Sequence, residues 1–174
     1  MAGLLAACIL ALAAAPDSVA ATKIGVASAV LPQAEGRVAD GAVTVMRIGV
    51  DVLANQRVTT SDSGKVQLVF IDGTALTIGP RSDLVLDEFV YDPASKQGKL
   101  SFAATKGVFR LVGGSLSKRN PVTIKFPTAT MGIRGGIAMV QGDESVTGIF
   151  IYGEEMTMTS DGQTETVNRP GFQV

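Results

Sequence analysis

Residues Lys65 to Leu86 read KVQLVFIDGTALTIGPRSDLVL. In an extended chain Val66, Leu68 and Phe70 share one face, and Val69 and Ile71 share the other. That period of two marks a half-buried strand. Asp72-Gly73 is a strong two-residue hairpin signal, Thr74 to Ile78 is the returning strand, and Gly79-Pro80 closes it. The next run, Leu84 to Val90, points Leu84, Leu86 and Phe89 inward. Three strands in succession, each bounded by turn chemistry, set the expectation for the rest of the chain.

Working outward, the same pattern recurs. Ala42 to Ile48 alternates after Asp40-Gly41, and Lys99 to Ala104 and Gly107 to Val112 form a pair. Pro121 to Phe126 is a strand with Pro at a tolerated first or edge position. Gly136 to Gln141 and Ser145 to Ile151 flank Gly142-Asp143-Glu144; Glu154 to Ser160 and Gln163 to Asn168 flank Asp161-Gly162. Tyr91 to Gly98 and Gly113 to Asn120 read as looser loops, and Phe172 to Val174 as the start of a strand. About a dozen short strands at intervals of roughly 8–12 residues predict an all-β fold, a sandwich or rolled sheet. The recurring Asp-Gly turns leave a solenoid-like arrangement open.

Composition narrows the chemistry. The chain has 174 residues, one domain's worth, with 46% hydrophobic residues but 5% aromatics and no Trp. The core must be Val, Ile and Leu, and β-branched residues favour strands. There is no His, which removes the commonest general base and metal ligand. The single Cys, Cys8, lies in the N-terminal segment.

Residues 1–21 read as a secretory signal peptide. Gly3 to Ala15 is apolar, Pro16 breaks the run, and small residues at 18–21 suit cleavage. The run is shorter than the roughly 20 residues a spanning helix needs. Leu5-Ala6-Ala7-Cys8 has the local pattern of a lipidation box but precedes most of the apolar run, so lipidation is discounted. Loss of residues 1–21 removes Asp17, leaving 15 basic and 16 − 1 = 15 acidic side chains. That balance offers no electrostatic footprint for nucleic acid or anionic lipid. The expected product is a periplasmic or secreted domain, residues 22–174, with no membrane insertion after signal removal.

Two stretches then carry a family resemblance. The first is Asp72-Gly73-Thr74, Gly79 and Ser82-Asp83-Leu84-Val85-Leu86; the second is Phe126-Pro127 with Gly132-Ile133-Arg134-Gly135-Gly136. Together they resemble the periplasmic FecR domain, an extracytoplasmic β-rich family first known from ferric-citrate signalling. The likeness runs over residues 40 to 160. It implies that Asp72, Gly73, Thr74, Gly79, Pro127, Gly132, Arg134 and Gly135 are motif positions of mainly structural role. Two positions depart from the pattern: Phe126 and Gly136 stand where the family has Thr. The best-known members are membrane sensors with a cytoplasmic segment that touches a sigma factor. This sequence shows neither that segment nor a spanning helix, so the resemblance implies the extracytoplasmic module alone.

Few residues invite catalysis. Asp83, Asp87 and Glu88 are the carboxylates from which a carbohydrate-active enzyme would be built, and that is the alternative function. Only Tyr91 and Tyr152 offer rings of the kind that grip sugars beside them. Ser115-Leu116-Ser117-Lys118 has an acylase-like spacing without companion motifs. Asp72-Gly73 lacks the alternating acidic neighbours of a calcium loop. Arg134, between glycines, is expected to hold a bend by pairing with an internal carboxylate, with Asp83, Asp87 and Glu88 as candidates by type. The expectation is therefore an exported non-catalytic binding module of the cell envelope, without cofactor or metal. Its partner would be a protein or an envelope glycan.

Overall fold

The structure is a computed structural model that describes residues 22–174 other than Asp40. The expected signal peptide, Cys8, and the Asp40 half of the Asp40-Gly41 turn lie outside the described residues. Strands make up 62% of the structure, and no helix occurs among the described residues.

The strands are β1 (Lys23–Leu31), β2 (Ala34–Val38), β3 (Thr44–Val45), β4 (Asp51–Leu53), β5 (Gln56–Thr60), β6 (Lys65–Phe70), β7 (Ala75–Ile78) and β8 (Asp83–Asp92). The 16-residue β9 (Gln97–Val112) follows. After it come β10 (Val122–Lys125), β11 (Thr130–Arg134), β12 (Ile137–Gly142), β13 (Val146–Tyr152), β14 (Glu155–Ser160) and β15 (Gln163–Val167).

β9 organises the fold because it belongs to two sheets. Its first part, up to Lys106, lies between β8 and β10 in a sheet ordered β3-β2-β5-β8-β9-β10-β11-β14-β15. From Gly107 onward it lies between β7 and β12 in a second sheet, β4-β1-β6-β7-β9-β12-β13. We call these the long and the short sheet. The short sheet is antiparallel throughout, and the β9–β10 pair is parallel in the long one. Gly107 takes φ +134 at the crossing, and a side chain there would overlap Ser82. The sheets are not closed into a barrel.

The core is the layer between the sheets. Phe70 of the short sheet stacks on Phe89 at 5.9 Å and meets Phe102 at 5.5 Å, both from the long sheet. Val66, Leu68, Leu76, Ile78, Leu84, Leu86, Leu100 and Ile124 are buried in the same cluster. Alternation in β6 holds as the sequence predicts: Val66, Leu68 and Phe70 are buried, while Ile71 is 56% exposed.

Four local expectations are corrected. The Asp72-Gly73 hairpin has a three-residue loop, Ile71-Asp72-Gly73. Gly73 N donates to Phe70 O and Phe70 N to Thr74 O, with Gly73 at φ +84. This is a type I turn completed by a left-handed residue, a common three-residue solution. The pair expected at Lys99–Ala104 and Gly107–Val112 is the single strand β9. Tyr91 to Gly98 is no loose loop, because Tyr91 pairs with Gly98 and Asp92 with Gln97. Finally, the alternating run Ala42 to Ile48 forms only the two-residue β3. Met46 is buried, but Val43, Val45 and Ile48 are more than half exposed.

Candidate functional site

The motif residues gather around one buried carboxylate. Asp72 is 4% exposed. Its Oδ1 accepts from Thr74 N at 3.0 Å; its Oδ2 accepts from Thr74 Oγ1 at 2.6 Å and Leu116 N at 3.2 Å. Ser115 N donates to the Asp72 carbonyl at 2.9 Å, and Gly114 N donates to Thr74 Oγ1 at 3.0 Å. A buried carboxylate is tolerated when such donors surround it. Asp72 is therefore a clamp on the segment 113–117, and that segment is not loose: Leu116 and Ser117 are fully buried.

The clamp reaches the second motif through the same segment. Gly135 N donates to Ser117 O at 2.8 Å, and Gly113 N donates to Gly136 O at 2.8 Å. Ser117 Oγ donates to Gly114 O at 2.8 Å, which closes the small loop on itself. So Asp72-Gly73-Thr74 and Gly132–Gly136 are joined through residues 113–117, whose sequence has the look of a loose loop. Gly113-Gly114 was the available signal, because backbone packed this closely against Thr74 and Ser117 excludes side chains.

The remaining motif positions lie in strands and turns away from the clamp. Gly79 N donates to Val108 O at 2.7 Å, and its carbonyl accepts from Thr60 Oγ1 at 2.6 Å. Pro127 lies in the four-residue link, 126–129, from β10 to β11, where Phe126 N donates to Ala129 O. Gly132 does not make the expected bend. It lies within β11, where a Cβ would come 2.6 Å from Thr157 Oγ1. The left-handed residue is Gly135, at φ +54.

Arg134 pairs with none of the three carboxylates suggested by type. Its Nε lies 3.0 Å from Glu154 Oε2 and its Nη1 lies 3.9 Å from Glu155 Oε1. The Nε contact is off line for a hydrogen bond, so it is an ion pair without a directed donor. The Arg134 side chain is 43% exposed, which makes this a surface pair and corrects the expectation of a buried fork.

The candidate carboxylates are each held by a cation. Arg57 grips Asp83 with both Nε and Nη2, the Nε bond at 2.7 Å, and this fork raises the Arg57 pKa further. Asp87 Oδ2 accepts from Lys125 Nζ at 2.8 Å and from Ser101 Oγ at 3.0 Å. These bonds, the Lys125 one first, hold the Asp87 carboxyl below its ordinary range. Glu88 pairs with Lys99 at 2.7 Å, which raises the Lys99 pKa. A general acid for glycosidic cleavage needs a raised carboxyl. Asp87 is shifted the other way.

The strand β15 presents an open edge. β15 ends the long sheet, and every residue from Gln163 to Thr166 is exposed. The turn into it, Asp161-Gly162, has φ of +51 and +76, the two-residue hairpin the sequence predicts. At the far end of the short sheet, β13 is covered instead. Gly148 exchanges two backbone hydrogen bonds with Val174, and Phe150 bonds to Phe172 and Gly171. Phe172 to Val174 thus continues as the strand-like pairing its sequence suggests.

With this geometry in place, comparison with known proteins is direct. The FecR protein family model matches residues 56–152, more than half of the chain. The chain belongs to the FecR family. The match includes Asp72, Gly79, Arg134 and the 113–117 segment between them. No curated protein matches the sequence. Among solved structures, a candidate anti-sigma factor from Parabacteroides distasonis is similar at 12% identity and a TM-score of 0.44. The alignment covers 66% of this chain and 60% of that one. A likeness of that size carries no argument about this chain.

Proposed function

We propose that this protein is an exported, non-catalytic interaction module of the bacterial cell envelope, linked to signalling. FecR family membership supports a signalling-related, non-enzymatic role. The observation that carries the reading further is the open edge of β15. A free edge offers a row of backbone donors and acceptors to an incoming strand. The short polar side chains Gln163, Thr164 and Thr166 do nothing to block that approach.

The geometry also says which residues would pair. Around a two-residue loop the flanking pair Ser160–Gln163 is hydrogen-bonded, so bonded and outward positions alternate along β15. Thr164 and Thr166 then direct their backbone groups outward. Proline at Thr166 removes one outward N–H without breaking a ladder bond.

The test is capture of a partner from envelope extract with the full chain as bait, repeated with Thr166→Pro. The expected result is a specific protein partner that Thr166→Pro loses while the fold is kept. Export is checked by intact mass: the mature N-terminus should lie near Ala21 or Thr22. Retention of Met1 in a cytoplasmic product, or a partner indifferent to Thr166→Pro, would overturn the corresponding part.

A further inference from the structure

The long sheet holds a cleft on β3, β2 and β5, the three strands farthest from β15. Register there sets two arginines directly opposite each other, Arg37 of β2 and Arg57 of β5. Two residues along the same strands, Glu35 stands opposite Thr59. Continuing the β2–β3 register from Glu35–Val45 and Gly36–Thr44 puts Val43 beside Arg37. Glu35, Arg37, Val43, Arg57 and Thr59 line the cleft, whose volume is about 330 Å³.

Like charges facing each other across a strand pair are destabilising. The fold offsets that cost at Arg57, one strand from Asp83. Asp83 takes Nε and Nη2 of Arg57 in a fork and is itself only 17% exposed. Neither of those bonds uses Nη1, and the fork fixes the plane in which Nη1 lies. Arg37 is exposed, and neither Arg37 nor Glu35 makes an ion pair among the described residues. The cleft thus sets an oriented guanidinium beside a second one. Around them stand a carboxylate, a Thr hydroxyl and the exposed Val43.

We propose that this cleft binds a sugar acid, a single carboxylate carried on a hydroxylated ring. Neighbouring guanidinium groups suit a planar carboxylate, which accepts paired N–H donors. Glu35 can only accept, so the ligand must bring it a donor. Glu35 and Arg37 leave their strand about 7 Å apart, which suits a ring hydroxyl better than an α-ammonium adjacent to its own carboxylate. The Thr59 hydroxyl donates or accepts as a second ring hydroxyl requires. Val43 offers an apolar surface to the C–H groups of the ring. The volume stands at the low end of the range for small-molecule sites, about 300–1,000 Å³, which is room for one ring. No aromatic side chain lines the cleft, so a neutral sugar has no ring to stack on and the carboxylate decides. This site lies at the other end of the long sheet from β15 and does not depend on strand capture there.

Titration of the protein, purified as its cell processes it, with sodium glucuronate tests the inference, read by amide NMR shifts. Saturable shifts confined to β2, β3 and β5 are expected, with a Kd in the millimolar range or tighter. Glucose has the same ring without the carboxylate, and alanine has the carboxylate with an ammonium beside it. Each should bind about tenfold more weakly or worse. Arg37→Gln should weaken glucuronate binding by about tenfold or more, and Arg37→Lys should not restore it, because an ammonium cannot reproduce the fork. Should Arg37→Gln fail to fold, the glucose and alanine comparisons on the unaltered protein decide alone. Absence of saturable shifts up to about 100 mM glucuronate overturns the proposal. So does glucose or alanine binding as well as glucuronate, or a folded Arg37→Gln that binds as the parent does.

Discussion

Asp72 Oδ2 accepts a hydrogen bond from Leu116 N, 44 residues further along the chain. The same oxygen takes the Thr74 hydroxyl, so one buried carboxylate fixes both a hairpin turn and the segment leading to the second family motif. The Asp-Gly-Thr signature of this chain is thus a tertiary clamp as well as a turn.

Asp72→Ala should be the most destabilising of the motif substitutions. It strands the Thr74 and Leu116 N–H groups, both buried, and an unsatisfied buried donor costs about 1–3 kcal/mol. A loss of about 2–4 kcal/mol is expected in urea unfolding. Asp72→Asn retains one acceptor oxygen and should lose less. Equal stability of Asp72→Ala and the parent would mean that segment 113–117 is held by other contacts.

Phe126 and Gly142 account for one of the two departures from the family pattern. The Phe126 ring is buried, lies 6.0 Å from Phe109, and occupies the space where a Gly142 side chain would go. Phe126→Thr should cost about 2–4 kcal/mol, since truncating a buried Phe to Ala costs about 3–5 kcal/mol. Gly142→Ala should be harmful in the parent chain and nearly harmless once Phe126→Thr has removed the ring, giving a double-mutant coupling above about 0.5 kcal/mol. Additive effects would show that the two sites do not share that space.

Gly136 is the other departure, and its reason is close backbone approach. A Cβ there would overlap the carbonyl of Tyr152 across the β12–β13 pair. Restoring the family residue with Gly136→Thr should therefore destabilise this chain, by about 1–3 kcal/mol or more, as overpacking does. Calorimetry would expose the opposite outcome directly as a raised melting temperature.

What the sequence revealed follows the physics of each segment. The β6 alternation and the Asp161-Gly162 hairpin were legible because local pattern and turn chemistry decide them. β9 was not, because a left-handed Gly107 looks the same in sequence whether it ends a strand or bends one between two sheets. Val43, Val45 and Ile48 alternate as strand residues should, yet lie exposed, because burial depends on a partner layer that no local pattern reports. The linking role of Leu116 and Ser117 depends on contacts across the fold, which no local pattern reports. Residue type carries no distance, so Asp83, Asp87 and Glu88 suit Arg134 by type alone, while its partners are Glu154, in the turn before β14, and Glu155, in β14 itself.

That placement changes what Arg134 is worth. Its side chain is 43% exposed and Glu154 is 55% exposed. Exposed ion pairs typically contribute about 0.2–1 kcal/mol. Arg134→Ala should lower stability by no more than that, and less in high salt. A loss of several kcal/mol would show that Arg134 has a buried partner after all.

The Asp87–Lys125 pair makes a pH-dependent contribution whose sign is set by the direction of the Asp87 shift. Hydrogen bonds from Lys125 and then Ser101 hold the folded-state pKa below the ordinary carboxylate value, about 3.9 in an unfolded chain. The folded state therefore binds the Asp87 proton less readily than the unfolded state does. The resulting stabilisation is fully present above the unfolded value and is lost as pH falls through the folded one. Both side chains are more than a third exposed, so the contribution is small and screened by salt. Lys125→Ala should move the Asp87 carboxyl titration upward, followed by its side-chain carbon resonance. It should also flatten the acid limb of the stability curve below about pH 4, leaving neutral pH little changed. An unmoved Asp87 titration in Lys125→Ala would assign the depression to Ser101 alone. Ser101→Ala would then have to produce the whole upward shift by itself.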